Sequence, residues 1–163
     1  MPILTKPQEL ACFDRGPIDP ARLTLAGSWS VYWYNGHLIG SEIARGLDIF
    51  TLQPSEFLTQ NEIDAAKLIT REEFNAQLQT QIVRPAHFSV ARAYVDQLER
   101  GKALSGPRMA VIRGALDSAE QASGTARRTT LTALTAALAQ DATSSSDATK
   151  VRLFNGVVRD PAK

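Results

Sequence analysis

The stretch "SWSVYWYNGHLIGSEIARGLDIFTL", residues 28–52, decides how this chain is read. Both tryptophans and two of the three tyrosines fall between Trp29 and Tyr34, although only 7 % of the chain is aromatic. "SWSVYWY" has strand composition, with Trp29, Val31 and Trp33 on one face and Ser30, Tyr32 and Tyr34 on the other. Asn35-Gly36 follows at once, and both residues tolerate the positive φ of a type I′ hairpin turn. "HLIGSEI" returns, Ala44-Arg45-Gly46 turns again, and "LDIFTL" makes a last strand. A two-residue turn fixes register, so Tyr34 should oppose His37, Trp33 Leu38, Tyr32 Ile39, Val31 Gly40 and Trp29 Glu42. Both faces then carry large apolar groups, whereas a sheet with one wet face shows cleaner polar alternation. The sheet is therefore expected to lie between two neighbours, with Trp29, Tyr32, Trp33 and Tyr34 as packing material.

Upstream, "ELACF" is a candidate strand ending at the breakers of "DRGPIDP", and "RLTLAG" is a short strand or an extended entry. Downstream the period changes. Thr59-x-x-Glu62 has the form of a capping box ahead of "EIDAAKLI". An irregular stretch runs from about residue 70 to 85, in which "REEFNAQLQ" has the composition for one helical turn. "HFSVARAYVDQLERG" places Phe88, Ala91, Val95 and Leu98 on one stripe, with Gly101 at the expected C-terminal cap. Ser105 is a candidate cap for a helix carrying Met109, Ile112, Leu116 and Ala119. Gly124 separates it from a helix with Leu131, Leu134 and Leu138, and a last one carries Val151, Phe154 and Val158. The reading is α+β: a β-meander over 1–54, a capped helix and linker over 55–85, and a small helical bundle over 86–163. Short connections favour consecutive helices as neighbours.

Composition narrows the function classes. A net charge of +1 supplies no field for nucleic acid, and Arg127-Arg128 is the longest basic run and reads as part of a solvated face. The single Cys12 excludes an intrachain disulfide and a cysteine-rich zinc site, and its apolar setting reads as a buried, inert thiol. No apolar run approaches the ~20 residues of a membrane span, so no membrane insertion is expected. The opening "MPILTKPQEL" lacks the basic end and apolar run of a signal peptide, which reads as a soluble chain not exported by itself.

Chemical motifs are sparse. No phosphate-binding glycine loop or Gly-x-Ser-x-Gly elbow occurs, and no cofactor is expected. Adjacent Glu72 and Glu73 do not face one another on a helix. A serine triad can be drawn only on paper, from Ser41, His37 and Asp48. The better candidate cluster is His37, Glu42, Arg45 and Asp48, on or beside turns, where an imidazole and two carboxylates suit a divalent cation. The simpler reading sets His37 against Tyr34 at the hairpin tip, Glu42 and Arg45 as a solvated pair, and Asp48 on a turn amide.

Over "YWYNGHLIGSEIARGLDIFTLQPSE" the chain resembles bacterial LVIVD-repeat proteins, which are taken to form β-propellers. Leu38-Ile39-Gly40-Ser41-Glu42 matches the displayed strand of that repeat, Gly46-Leu47-Asp48-Ile49-Phe50 its second strand and Gln53-Pro54-Ser55 its exit. "CFDRGPIDP" looks like the approach to a terminal blade. The resemblance implies a propeller-blade-like meander with a helical tail, protein partners in the form of neighbouring blades or another subunit, and a cell-surface or secreted setting for intact relatives. A propeller typically has four to eight blades, and one repeat is found here, so the chain reads as the C-terminal end of a longer protein. The function expected is a non-enzymatic structural or interaction module. One alternative is a metal-dependent binding protein or enzyme whose site, with His37, Glu42 or Asp48 contributing, is completed by missing blades. Another is a helical partner-binding domain with a β appendage.

Overall fold

A computed structural model describes residues 9–78 and 80–159. The reading of the first eight residues lies outside that range. Strands β1 (Ser28–Tyr34), β2 (His37–Glu42) and β3 (Gly46–Phe50) form one antiparallel sheet of order β1-β2-β3. Helices α1 (Gln60–Lys67), α2 (Phe88–Arg100), α3 (Gly106–Gln121), α4 (Gly124–Ser144) and α5 (Ala148–Val158) follow, with a single 3-10 turn at Ala76–Leu78. The chain is thus α+β, an N-terminal meander followed by helices.

Asn35 and Gly36 adopt φ of 47° and 90°, the left-handed pair a type I′ turn requires. Tyr34, Trp33, Tyr32 and Val31 pair with His37, Leu38, Ile39 and Gly40 in the register that turn dictates. Ser30 opposite Ser41 continues that register, but the next pair breaks it: Ser28 rather than Trp29 opposes Glu42, so Trp29 is an extra, bulged residue rather than the partner of Glu42. The cause lies next door. Gly27, at φ 112°, accepts from the Ile43 N–H and donates to Glu42, which draws Ser28 rather than Trp29 opposite Glu42. "ELACF" and "RLTLAG" both lie outside the sheet, and Leu23 and Leu25 in the latter are fully exposed or nearly so. Cys12 is exposed, not buried, because the segment around it joins no core.

The core is helical apart from Ala103, in the connection between α2 and α3. Every buried apolar side chain among the described residues lies between Ile63 and Val158, and the sheet contributes none. Helix α2 is its centre: it packs on α1, α3 and α5, while α4 closes the ring between α3 and α5. Ala91, Val95 and Leu98 face the main cluster, with Met109, Ile112 and Leu116 of α3, Leu134 and Leu138 of α4, and Val151, Phe154 and Val158 of α5. Val90 and Ala93, on another face of α2, pack with Ala65 of α1. The stripes are those the 3.6-residue period marks out. Truncating one such Leu or Phe to Ala would cost about 2–5 kcal/mol.

Helix ends mix the expected with the unexpected. Thr59 and Glu62 form the complete capping box. Ser105 stands at the N-cap of α3 but its hydroxyl makes no capping bond. The imidazole of His87 caps α2, Nδ1 accepting from the Ser89 N–H at 3.1 Å. Arg127 belongs to no solvated face: its Nε donates to the carbonyls of Ala119 (3.1 Å) and Ala122 (2.9 Å) at the end of α3, and its guanidinium lies 5.6 Å from the Phe88 ring centre. A cation there satisfies carbonyls the helix leaves unpaired and opposes its negative end.

The α2 terminus holds a strain the sequence conceals. Gly101 keeps a helical φ of −78°, and Lys102 takes the left-handed φ of 50°. The Ala103 N–H reaches the Leu98 carbonyl and the Lys102 N–H the Glu99 carbonyl, both at 2.9 Å, which is a Schellman motif one residue later than expected. A Cβ at residue 101 would meet the Gln97 carbonyl at 3.2 Å, a tight contact that glycine avoids. Lys102→Gly should therefore raise stability by about 1 kcal/mol, read as a higher melting temperature by circular dichroism; an unchanged or lower value would refute the assignment.

Candidate functional site

Sheet parity separates the residues first considered for chemistry. His37 and Ser41 stand on the face that carries Tyr32, Ile39 and Ile49, whereas Asp48, paired with Gly40, stands on the opposite face with Trp33 and Leu38. His37 Nδ1 lies 3.3 Å from the Thr51 hydroxyl, and the Ser41 hydroxyl is 2.8 Å from that of Ser30. No serine triad forms. Asp48 is ion-paired to Arg15 rather than bonded to a turn amide. Among the described residues no three of His, Cys, Asp and Glu come together in a way that could hold a metal ion.

Glu42 and Arg45 stay close in the chain but do different work. The Glu42 carboxylate accepts from the backbone N–H of Gly27 at 2.7 Å, of Ala44 at 2.9 Å and of Arg45. Those donors, the Gly27 amide foremost, hold its carboxyl below the usual range. The Arg45 guanidinium donates to the carbonyls of Arg15 (3.3 Å) and Pro17 (3.0 Å). With Phe13 edge-on to Phe50 at 4.8 Å, these bonds lay the segment before the sheet along one of its sides. Glu42, Arg45 and Asp48 fasten loops, while His37 makes a contact across the sheet.

The aromatic residues fall into three environments. The Tyr34 hydroxyl donates to the carbonyls of Arg71 (3.1 Å) and Glu72 (2.9 Å), and Asn35 exchanges two bonds of 2.8 Å with the Arg71 backbone. Phe74 covers one end of the Tyr32 and Tyr34 face, 5.8 Å from the former ring and 6.3 Å from the latter. Trp33 is half-buried and forms a wall between two adjoining grooves, of about 340 and 370 Å³, where the sheet meets α1, α2 and residues 69–75 and 80–84. Trp29 is 79 % exposed and packs in no core cluster. Full cover on both faces is not what the chain supplies: Leu47 and Ile49 on one face are 59 % and 62 % exposed, and Val31 on the other is 57 % exposed.

The groove residues Ile69, Ile82 and Arg84 belong to the stretch or its border that reads as irregular, so periodicity gave no sign of them. Below them lies a buried charged network. Asp96 of α2 accepts from Thr59 Oγ1 (2.7 Å), Asn61 Nδ2 (2.8 Å) and Arg113 of α3 (2.8 Å). Burial pushes its carboxyl up, but the bonds from Asn61, Thr59 and Arg113 outweigh that and hold it below the usual range. For Glu62 the sequence of forces is the same: burial raises its carboxyl, while Arg100, at 2.6 and 3.1 Å, and the Thr59 amide bring it down. Every acid here is answered by a donor.

Because both folded carboxyls sit below their unfolded values, the unfolded chain binds protons first as pH falls. The network's contribution is complete above about pH 4–5 and disappears as pH drops through the lower folded values. Melting temperature should accordingly be flat through neutral pH and fall below about pH 4. Asp96→Ala should cost about 2 kcal/mol at pH 7 and blunt that fall; an unaltered acid limb would refute the role. Comparison with protein-family models, with curated proteins and with solved structures returned no match, so the LVIVD-repeat reading rests on the residues quoted for it.

Proposed function

We propose that this chain is a non-enzymatic structural or interaction module whose sheet docks on a sheet of the same kind in another subunit, as one propeller blade rests on the next. The observation that carries the reading is the open face of Tyr32, Leu47 and Ile49, respectively 43, 59 and 62 % exposed. Cross-strand pairing sets Tyr32, Ile39 and Ile49 in one row across all three strands, with Leu47 in the row beside it. Such a row is the usual material of face-to-face sheet packing, about 10 Å from its partner.

Other features support the same reading. Ser30, Ser41, His37 and Thr51 supply the polar remainder of that face, and none of them carries a fixed charge that docking would have to bury. The hairpin tip is bonded to the backbone at Arg71 and Trp33 lines the groove beside α1 and α2, while Leu47 and Ile49 stay exposed and open to another protein. The LVIVD-repeat resemblance gives the propeller form of this proposal. Blades are commonly four-stranded, and this meander has three strands. No observation favours the metal-dependent or enzymatic alternative: Glu42 and Asp48 are engaged by loop groups, and His37 stands on the opposite face of the sheet.

Size-exclusion chromatography with light scattering tests the proposal. The mass should rise above the 17.7 kDa of one chain as concentration increases. The double substitution Leu47→Thr/Ile49→Thr should hold the protein at one chain, weakening association roughly a hundredfold without loss of helical ellipticity. A strictly monomeric parent up to high concentration would refute it.

A further inference from the structure

A second surface, independent of the docking face, has the makings of a small-molecule site. The 340 Å³ groove beside Trp33 is floored by Ala65 of α1 and by Val90 and Ala93 of α2, apolar residues that pack where the two helices meet. Ala66 and Ile69 continue that floor, and Trp33 hangs over it from the sheet. The result is an apolar slot at the lower end of the size range of ligand pockets. It suits one ring with a short chain.

Its polar groups are unequal. Glu62 lines the slot, but Arg100 and the Thr59 amide already engage both its oxygens, so it offers a ligand neither a free acceptor nor an uncompensated charge. Arg84 also lines it. Arg92, Arg100, Arg108 and Arg113 each meet a carboxylate at 2.5–2.8 Å. Arg71, in the adjoining groove, has its guanidinium over the Phe74 ring at 5.8 Å. Arg84 has no ion pair or hydrogen bond among the described residues. Pro85 follows it and disfavours a helical backbone at residue 84, which keeps the side chain's base extended at the groove edge.

We propose that this groove binds a small arylalkanoate, with the ring between Trp33 and the apolar floor and the carboxylate on the Arg84 guanidinium. A planar guanidinium offers two parallel donors to a carboxylate, and the ring is desolvated on an aromatic face and on methyl groups. The charge explains the class. A neutral aromatic of the same shape would gain the apolar contact but leave Arg84 without its partner.

The test uses hydrocinnamate and its neutral counterpart, hydrocinnamyl alcohol, titrated into the full chain carrying Trp29→Phe, so that Trp33 is the sole indole and is excited selectively at the red edge of the absorption band. Hydrocinnamate should change the Trp33 emission saturably, and the alcohol should bind at least tenfold more weakly. Arg84→Gln, at an exposed residue, should remove that preference by weakening the acid about tenfold and leaving the alcohol unchanged. Ala66→Leu, at a half-buried residue, should abolish both by filling the slot, with helical ellipticity retained. Absence of a saturable change, equal binding of acid and alcohol, or an Arg84→Gln variant that binds the acid as before would overturn the proposal. Because Leu47 and Ile49 lie elsewhere, failure here leaves the docking reading standing, and the reverse holds too.

Discussion

Helix α2 must be buried on several sides at once, and the rest of the molecule follows from that demand. Ala91, Val95 and Leu98 turn to α3 and α5, while Val90 and Ala93 turn to α1. A helix so enclosed cannot place a charge carelessly, yet Asp96 lies within it at 8 % exposure. Thr59, Asn61 and Arg113 make the charge tolerable, and in doing so they clamp α1 and α3 to the same turn of α2. The apolar contacts supply the driving force, and the ionic ones select which neighbours sit where.

The sheet obeys a different economy. It owns no buried apolar side chain, so it is held by hydrogen bonds at its edges: Tyr34 and Asn35 to the Arg71 backbone, Glu42 to three amides, Arg45 to two carbonyls. Bonds of that kind contribute about 1 kcal/mol each. The helical layer has its own packed core, while a three-stranded sheet with open apolar faces has little to stabilise it alone. This asymmetry is why exposed Leu47 and Ile49 draw attention as a docking surface, whereas equally apolar Leu134 and Leu138 do not.

Much of this was legible in residue order, and the limits have a physical cause. The Asn-Gly turn, the capping box of Thr59 and Glu62, and the stripes of α2 to α5 are local patterns, and they stand where the periodicities put them. The bulge at Trp29 escaped notice because it depends on Gly27, whose bonds run to residues 42 and 43. Arg15 with Asp48 and Asp96 with Arg113 bring together residues 33 and 17 positions apart, and no spacing rule announces such pairs. Arg127 looked like surface because its partners are backbone carbonyls, which have no signature in sequence. Strand parity divides the candidate cluster of His37, Glu42, Arg45 and Asp48: His37 stands on one face and Glu42 and Asp48 on the other, a separation that nearness in a hairpin does not reveal.

The placement of the two indole rings has a practical consequence. Trp29 and Trp33 both belong to β1, and the helical core contains no tryptophan at all. Indole fluorescence therefore watches the meander, and far-ultraviolet ellipticity watches almost solely the helices. The two optical signals are a built-in pair of probes for separate layers, and any difference between their denaturation midpoints would measure directly how weakly one layer is coupled to the other.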